Sequence, residues 1–317
     1  MKIILRLAAA LVGLVLVLVA VAAILYWEPD RDVESLTAKY ANLESEFVTL
    51  DNGLTVHMRD QGPDDGEVLV FVHGSSASLH TWEPWISLLK DRYRAISITL
   101  AGHGLTGPHP NHDYSMVGQA KLVREVLEKR AIERYTIIGS SMGGFIAWVH
   151  TILYPASVDR LVLIGSSGFP HDSAPSLTFK LMSWPVTRDL LRYITPRSVV
   201  EDATKLAYHN SPVVDDALVD RYYELLLREG NRDATARRMA APRDYSINER
   251  LDEIGVPTLI LWGKHDALVP VEDAAKFDEA IEQSKVIIYD ELGHIPFEEA
   301  PELTIPDFEA FLRGELH

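Results

Sequence analysis

The chain has 317 residues, enough for one large α/β domain with an insertion or for two small domains. Its 46 acidic and 30 basic residues give a formal net charge of −16, and this acidic balance argues against nucleic acid as a partner. The sequence contains no cysteine, so disulfides, thiolate nucleophiles and cysteine-ligated metals are excluded.

Residues 1–27 are expected to form a membrane anchor. No charged residue occurs from Leu7 to Trp27, and a helix of that length spans roughly 30 Å, the thickness of a bilayer's hydrocarbon core. Basic residues precede this stretch and acidic residues follow it, which predicts a single-pass membrane protein with its catalytic domain on the periplasmic side. A signal peptide cleaved near Ala20-Val21-Ala22 is the alternative, but signal-peptide apolar cores are usually about 7–15 residues long. The length therefore favours an uncleaved anchor.

The next part of the chain predicts strands that alternate with helices. Residues 28–45 are polar and are interpreted as a lead-in with a short helix. Residues 46–50 and 54–60 flank the turn Asp51-Asn52-Gly53, which is typical of a hairpin. Further strands are predicted at 68–72, 95–100, 135–138 and 160–164, and helices near 79–90 and 114–130. Apolar strands in such an alternation indicate a doubly wound, mostly parallel sheet.

The alternation stops between residues 169 and 245, where helical patterns are interrupted by prolines and no strand is predicted. It resumes with strands at 258–262 and 285–289 and with helices at 274–281 and 301–312. After the anchor, the sequence is therefore divided into a first part of the core at 28–168, a helical cap at 169–245 and a second part of the core at 246–317.

A Gly-x-Ser-x-Gly pattern directly follows the predicted strand at 135–138. It reads Gly139-Ser140-Ser141-Met142-Gly143, and an apolar helical stretch comes next. A strand, a tight turn and a helix in this order predict a nucleophile elbow that exposes Ser141. The glycines let the strand and helix backbones pass closely, and the helix N-terminus places unpaired N–H groups beside the hydroxyl. The pattern alone also fits a phosphate-binding loop or an ordinary turn.

An activated serine needs a base, and the base needs an orienting carboxylate. Asp266 and His294 each follow a predicted strand, and the C-terminal ends of parallel strands meet at one edge of a sheet. Each residue also has a structural interpretation when taken alone, and Asp172 is a weaker alternative acid. The order of serine, acid and histidine along the chain nevertheless matches a known triad order.

The backbone N–H groups of Met142, just after the nucleophile, and of Ser75, after the strand at 68–72, are predicted to form the oxyanion hole. His73 is expected to shape that loop. His103 and His265 are expected to be structural or exposed.

Together these motifs resemble the α/β-hydrolase superfamily over residues 45–315. They are His73-Gly74, Gly102-His103-Gly104, the Ser141 elbow through Gly144, Gly263-Lys264-His265-Asp266 with Val269-Pro270, and Gly293-His294 with Pro296 and Glu298. The resemblance implies an α/β-hydrolase fold with a helical cap, Ser141 as nucleophile, His294 as base and Asp266 as orienting acid. Thr99-Leu100-Ala101 departs from the Asp-Leu-Pro of many relatives, at a position that shapes a loop.

The elbow and anchor are similar to those of membrane-bound monoacylglycerol lipases. This implies a membrane-anchored serine esterase that acts on small carboxylic esters, including lipid-derived ones, and needs no metal or organic cofactor. The elbow also resembles those of cofactor-free haloperoxidase-like esterases and of C–C hydrolases that act on meta-cleavage products. Since such C–C hydrolases usually act in the cytoplasm, the predicted anchor argues against them. A non-catalytic binding module is a third hypothesis. Dehalogenases and epoxide hydrolases of the superfamily carry Asp at the elbow, so Ser141 argues against both.

Overall fold

The computed structural model describes residues 2–171, 193–209, 211–241 and 244–316. Within them, eight strands form one sheet. The strands are β1 (Ser45–Thr49), β2 (Thr55–Gln61), β3 (Glu67–Val72), β4 (Tyr93–Ile98), β5 (Tyr135–Ser140), β6 (Val158–Ile164), β7 (Thr258–Gly263) and β8 (Ser284–Tyr289). Every strand predicted from the sequence is present, with bounds that agree to within two residues.

The strands lie in the order β1-β2-β4-β3-β5-β6-β7-β8. The β1–β2 hairpin is antiparallel and pairs antiparallel with β4, whereas all strands from β4 to β8 are parallel. The prediction of a mostly parallel sheet is therefore confirmed. Because the six parallel strands share one direction, their C-terminal ends lie at the same edge, where ligands of such sheets bind.

Helices cover both faces of the sheet. The described helices are α1 (Lys2–Tyr26), α2 (Val33–Tyr40), α3 (Glu83–Leu89), α4 (Met116–Lys129), α5 (Met142–Leu153), α6 (Arg197–Ala207), α7 (Asp216–Leu226), α8 (Asn231–Ala240), α9 (Glu272–Ala280), α10 (Pro296–Glu299) and α11 (Pro301–Leu312). The predicted helix near 79–90 begins with a 3-10 turn, Leu79–Trp82, before α3.

The strand β3 shows why its sequence is apolar throughout. Val70 and Val72 join the core cluster that contains α4 and α5, while Leu69 and Phe71 join the cluster that contains α3 and α11. Alternate residues of a strand point to opposite faces, so a strand covered on both faces needs apolar residues at every position.

Between β6 and β7 the described chain forms α6, α7 and α8. This agrees with the helical character predicted for residues 169–245, while the domain boundaries stay a prediction. Asp172 lies outside the described residues.

The segment after α1 docks on these helices. Arg232 of α8 pairs with Asp30 at 2.7 Å and donates to the Glu28 carbonyl at the same distance. The ring of Trp27 stacks on Tyr193 with centroids 4.7 Å apart. These contacts connect the N-terminal segment to the helical insertion.

The predicted membrane anchor requires a correction. The sequence does form a helix, α1, but among the residues that the structure describes none of the helices has the length and apolar character needed to cross a membrane. The prediction depended on the length of the uncharged, apolar stretch from Leu7 to Trp27 in the sequence. The predicted single-pass anchor and periplasmic location are therefore wrong on this finding.

Candidate active site

Ser141 lies at the turn between β5 and α5, in a backbone conformation that L-residues rarely adopt. Its φ is 55° and its ψ is −120°, and such conformations cost on the order of 1–3 kcal/mol. The surrounding backbone holds the turn, because the Ser141 N–H donates to the Ile164 carbonyl at 2.9 Å and the Ser141 carbonyl accepts from Ser167 N–H at 3.0 Å. The strand and helix that the sequence predicts on either side of this serine are therefore observed.

The two glycines of the elbow have no room for a side chain. A Cβ atom on Gly139 would lie 2.2 Å from the carbonyl oxygen of Gly143, and one on Gly143 would lie 2.1 Å from that of Val72. Both contacts are with backbone atoms, which cannot rotate away. The close approach of strand and helix that the motif predicts is therefore observed.

His294 and Asp266, which follow β8 and β7, meet in the structure. His294 Nδ1 lies 2.6 Å from Asp266 Oδ2, and the other carboxylate oxygen accepts the N–H groups of Leu268 and Val269, each at 2.8 Å. The Asp266 side chain is fully buried and that of His294 is 3% exposed. A carboxylate at Nδ1 requires a proton on that nitrogen, so Nε2 is left as an acceptor.

The loop that carries His294 is fixed from two sides. The Glu299 carboxylate accepts the N–H groups of Gly293 and Ile295 at 2.9 and 3.1 Å, and burial raises the pKa of Glu299. On the other side, His294 N–H donates to the carbonyl of Ala207, the last residue of α6, at 2.8 Å. The imidazole is therefore positioned by the core and by the helical insertion together.

The proposed catalytic residues lie at a cavity of about 340 Å³. Ser141 and His294 line it, and so does Ser75, which is exposed in the loop after β3. Met142 is the first residue of α5, and its sulfur accepts a hydrogen bond from Arg238 Nη1 at 3.5 Å. Most of the remaining wall is apolar. It is formed by Val199, Val200, Ala203, Leu206, Ala207, Leu226, Leu268, Ile295 and Phe297.

The other histidines of the motifs have structural surroundings. His73 donates from Nδ1 to the Gly74 carbonyl at 2.7 Å and accepts Leu100 N–H at Nε2 at 3.0 Å, and burial lowers the pKa of His73 to about 4. Burial also lowers the pKa of His103. The ring of His265 stacks on that of His209, with centroids 4.3 Å apart. His73 therefore holds the loop that carries Ser75, as expected.

One polar cluster at the cavity has no signal in the sequence, where Glu298 stands out only as part of a motif. The Glu298 carboxylate accepts hydrogen bonds from Thr81 Oγ1 and the Tyr208 hydroxyl, both at 2.5 Å, and pairs with Arg221 at 2.7 Å. Its partners come from three separate segments, so no spacing along the chain marks the cluster. In the described parts of the chain, no group of three or more acidic or histidine side chains is arranged to hold a metal ion.

Comparison with known proteins gives one family and several relatives. Residues 67–301 match the family described as alpha/beta hydrolase fold. A 2-hydroxy-6-oxononadienedioate/2-hydroxy-6-oxononatrienedioate hydrolase of Cupriavidus pinatubonensis is 29% identical over 79% of this chain and 89% of its own length. A monoacylglycerol lipase of Mus musculus is 27% identical over 76% of this chain and 75% of its own length.

Among solved structures, a membrane phospholipase A described as a bacterial virulence factor is similar to this chain. It has a TM-score of 0.71 and 24% identity, over 97% of this chain and 98% of its own. At this identity the similarity shows a shared fold.

Proposed function

Because this chain belongs to the α/β-hydrolase family, we propose that it is a serine hydrolase that cleaves carboxylic esters through Ser141, His294 and Asp266. The observation that carries the proposal is the 2.6 Å contact between His294 and Asp266 beside a cavity that Ser141 and His294 both line. An oriented imidazole that shares a cavity with a serine is the arrangement that nucleophilic acyl transfer needs.

In the first step the Ser141 oxygen attacks the ester carbonyl carbon, and His294 Nε2 takes the hydroxyl proton. The imidazole then carries a positive charge, which the buried Asp266 carboxylate stabilises. Since both Asp266 oxygens are already hydrogen-bonded, the carboxylate holds the ring in place throughout the step.

The attack leaves a negative charge on the former carbonyl oxygen. We assign its stabilisation to the backbone N–H groups of Ser75 and Met142, which the sequence also indicates. Met142 begins α5, whose N-terminal dipole end favours negative charge at this position. Ser141 directly precedes this helix end, in a strained backbone conformation.

Collapse of the tetrahedral intermediate breaks the ester C–O bond, and His294 gives its proton to the departing alcohol. A water molecule then attacks the acyl-enzyme, His294 takes one of its protons, and the carboxylic acid leaves with Ser141 restored. The scheme uses no metal or organic cofactor.

The cavity supports a small, largely apolar substrate. Its volume of about 340 Å³ lies in the range of small-molecule sites, and its walls are mostly aliphatic. The mouse relative is a monoacylglycerol lipase. Short and medium-chain carboxylic esters, including monoacylglycerols, are therefore the substrates that we propose.

A second candidate reaction is hydrolysis of a C–C bond with the same three residues. It is favoured by the Cupriavidus relative, which is named as a hydrolase of an unsaturated oxo-diacid. The two reactions are separated by assaying the full-length protein with p-nitrophenyl esters of graded chain length, with monoacylglycerols and with a vinylogous diketone acid. Ester turnover with negligible turnover of the diketone acid is the expected result, and the reverse would overturn the proposal.

A non-catalytic role is tested separately with a fluorophosphonate probe. We expect the probe to label Ser141, since Ser141 lines the cavity together with His294. Absence of labelling in a folded protein would favour a binding module.

A further inference from the structure

A second set of polar groups lines the active-site cavity, besides the proposed reacting residues. Thr81, Tyr208 and Tyr222 all contribute to the cavity wall. Behind them lies the buried Glu298 carboxylate, which accepts hydrogen bonds from Thr81 and Tyr208 and pairs with Arg221. The mostly apolar cavity therefore has a second polar region besides Ser141 and His294, here called its polar end.

The hydrogen-bond directions at this end follow from counting protons. The hydroxyl proton of Tyr208 is donated to Glu298, so the 3.1 Å contact between the Tyr208 and Tyr222 hydroxyls must use the proton of Tyr222. Burial raises the pKa of Tyr208 and of Tyr222, so both phenols keep their protons. The proton of Thr81 also points to Glu298. The oxygens of Tyr222 and Thr81 are thus left with acceptor lone pairs.

A small niche adjoins the cavity at this point. It has a volume of about 10 Å³, room for about one water-sized group. Thr81 and Tyr222 line both the niche and the main cavity, as do Ser76 and Ala77. The rest of the niche wall is formed by Ser78, Arg221 and Leu225. A substrate in the main cavity can therefore extend one polar group into this space.

The charges around the niche favour a neutral group there. The Arg221 guanidinium lies 2.7 Å from Glu298, so its positive charge is already balanced by that carboxylate. A second carboxylate in the niche would lie close to Glu298 and would be repelled in a poorly solvated site. A hydroxyl carries no charge, and it can donate to the free lone pairs of Tyr222 or Thr81.

We propose that this niche binds a free hydroxyl of the substrate's alcohol portion, and that Tyr222 thereby selects esters of polyols such as glycerol over esters of simple alcohols. The inference rests on the proposed ester hydrolysis at Ser141 and adds its substrate class. Tyr222 is a specificity residue in this scheme, because it contacts the part of the substrate that does not react.

The variant Tyr222→Phe removes the acceptor oxygen and keeps the ring. Its kcat/KM is measured for monooctanoylglycerol and for ethyl octanoate, and the ratio of the two is compared with that of the wild type. We expect the ratio to fall about fivefold, the effect of one neutral hydrogen bond. An unchanged ratio would overturn the proposal.

The neighbouring Tyr223→Phe is the matched control. The Tyr223 hydroxyl donates to the Thr195 carbonyl at 3.1 Å, and Tyr223 does not belong to the cavity wall. This variant also removes one phenolic hydroxyl from α7, but we expect it to keep the wild-type ratio. A fall in the ratio equal to that of Tyr222→Phe would count against the niche.

A binding experiment separates failure of the niche from failure of the ester reaction. The wild type and Tyr222→Phe are titrated calorimetrically with octyl glycerol ether and with octyl methyl ether, neither of which can be hydrolysed as an ester. The wild type should bind the glycerol ether more tightly than the methyl ether. In Tyr222→Phe the ratio of the two affinities should be about fivefold smaller. Such a preference without ester turnover would support the niche and refute the ester reaction. Equal affinities of the wild type for both ethers would refute the niche, whatever the esterase result.

Discussion

Asp266 is bound at both of its carboxylate oxygens, and one of these bonds is the 2.6 Å contact with Nδ1 of His294. The other oxygen takes the N–H groups of Leu268 and Val269. The carboxylate therefore has one orientation, and the imidazole that depends on it has one tautomer. This relationship, more than the presence of a serine in a glycine-rich turn, distinguishes the site from an ordinary turn between a strand and a helix.

Replacement of Asp266 by Asn should disable this arrangement without removing the side chain. An amide that presents its NH2 group to Nδ1 forces the proton onto Nε2, and His294 then cannot accept the proton of Ser141. We expect kcat for ester hydrolysis to fall by about 10⁴-fold, as measured by initial rates at saturating substrate. A loss of less than tenfold would contradict the assigned role of Asp266.

The control for this variant is Asp290→Asn. Asp290 lies just after β8, and its exposed side chain pairs with Lys264 at 2.7 Å. Exposed ion pairs of this kind contribute little to the stability of a protein. The control makes the same chemical change close to the site and should keep kcat within about twofold of the wild type.

Removal of the Ser141 hydroxyl should abolish hydrolysis while the fold is retained. Ser141→Ala deletes only Oγ, and we expect a loss of about 10⁶-fold in kcat, to be measured together with the circular dichroism spectrum. Ser97→Ala is a suitable control, since Ser97 is buried in β4 and its Oγ has no hydrogen-bond partner among the described residues. Undiminished p-nitrophenyl ester turnover by Ser141→Ala would refute the nucleophile assignment.

The elbow should also tolerate no side chain at Gly143. A Cβ there would lie 2.1 Å from the Val72 carbonyl oxygen, so Gly143→Ala must push α5 away from β3. We expect the free energy of unfolding to fall by about 2–3 kcal/mol, as measured by urea denaturation. At Gly255 a Cβ would meet nothing within 4 Å, so Gly255→Ala should be neutral or stabilising by about 0.4–1 kcal/mol. Equal stabilities of the two variants would show that the elbow relaxes more easily than its packing suggests.

The sheet was predictable because its signals are local. Apolar runs bounded by turn residues mark the strands, and the parallel direction follows from the helices between them. Ser141, Asp266 and His294 were each predicted to follow a strand. Because the C-terminal ends of parallel strands lie at one edge of the sheet, this was sufficient to predict that the three residues share that edge. The insertion of β4 between β2 and β3 is set by long-range pairing, for which the sequence holds no spacing signal.

Two other features show where sequence reasoning failed. The partners of Glu298 are Thr81, Tyr208 and Arg221, which become neighbours only when the helical insertion folds over the core. At the N-terminus, the predicted anchor depended on apolar length alone, and the described helices do not bear it out. The local sequence pattern was therefore sufficient to predict the proposed reacting residues, but it gave no indication of the polar end of their cavity.

Several buried histidines make the stability of this protein sensitive to acid, and His150 of α5 is a clear example. His150 is fully buried, donates from Nδ1 to the Ala120 carbonyl at 3.0 Å and accepts the Tyr135 hydroxyl at Nε2 at 2.7 Å. Burial lowers the pKa of His150 to about 4. The same cause lowers the pKa of His57 to about 3 and those of His73 and His80 to about 4.

An unfolded histidine takes up its proton near pH 6.5, whereas folded His150 does so only near pH 4. Between these values the unfolded state binds more protons, so the free energy of unfolding must decrease as the pH falls from about 6.5 to 4.

His150→Gln keeps a polar side chain but cannot titrate, and it should reduce the slope of unfolding free energy against pH by up to about 1.4 kcal/mol per pH unit in this window. The slope is measured by urea denaturation at a series of pH values, with His112→Gln, a change at an exposed position, as the control for the substitution itself. If His150→Gln keeps the wild-type slope, proton uptake by His150 does not contribute to acid unfolding, and the remaining slope must come from His57, His73, His80 or other groups.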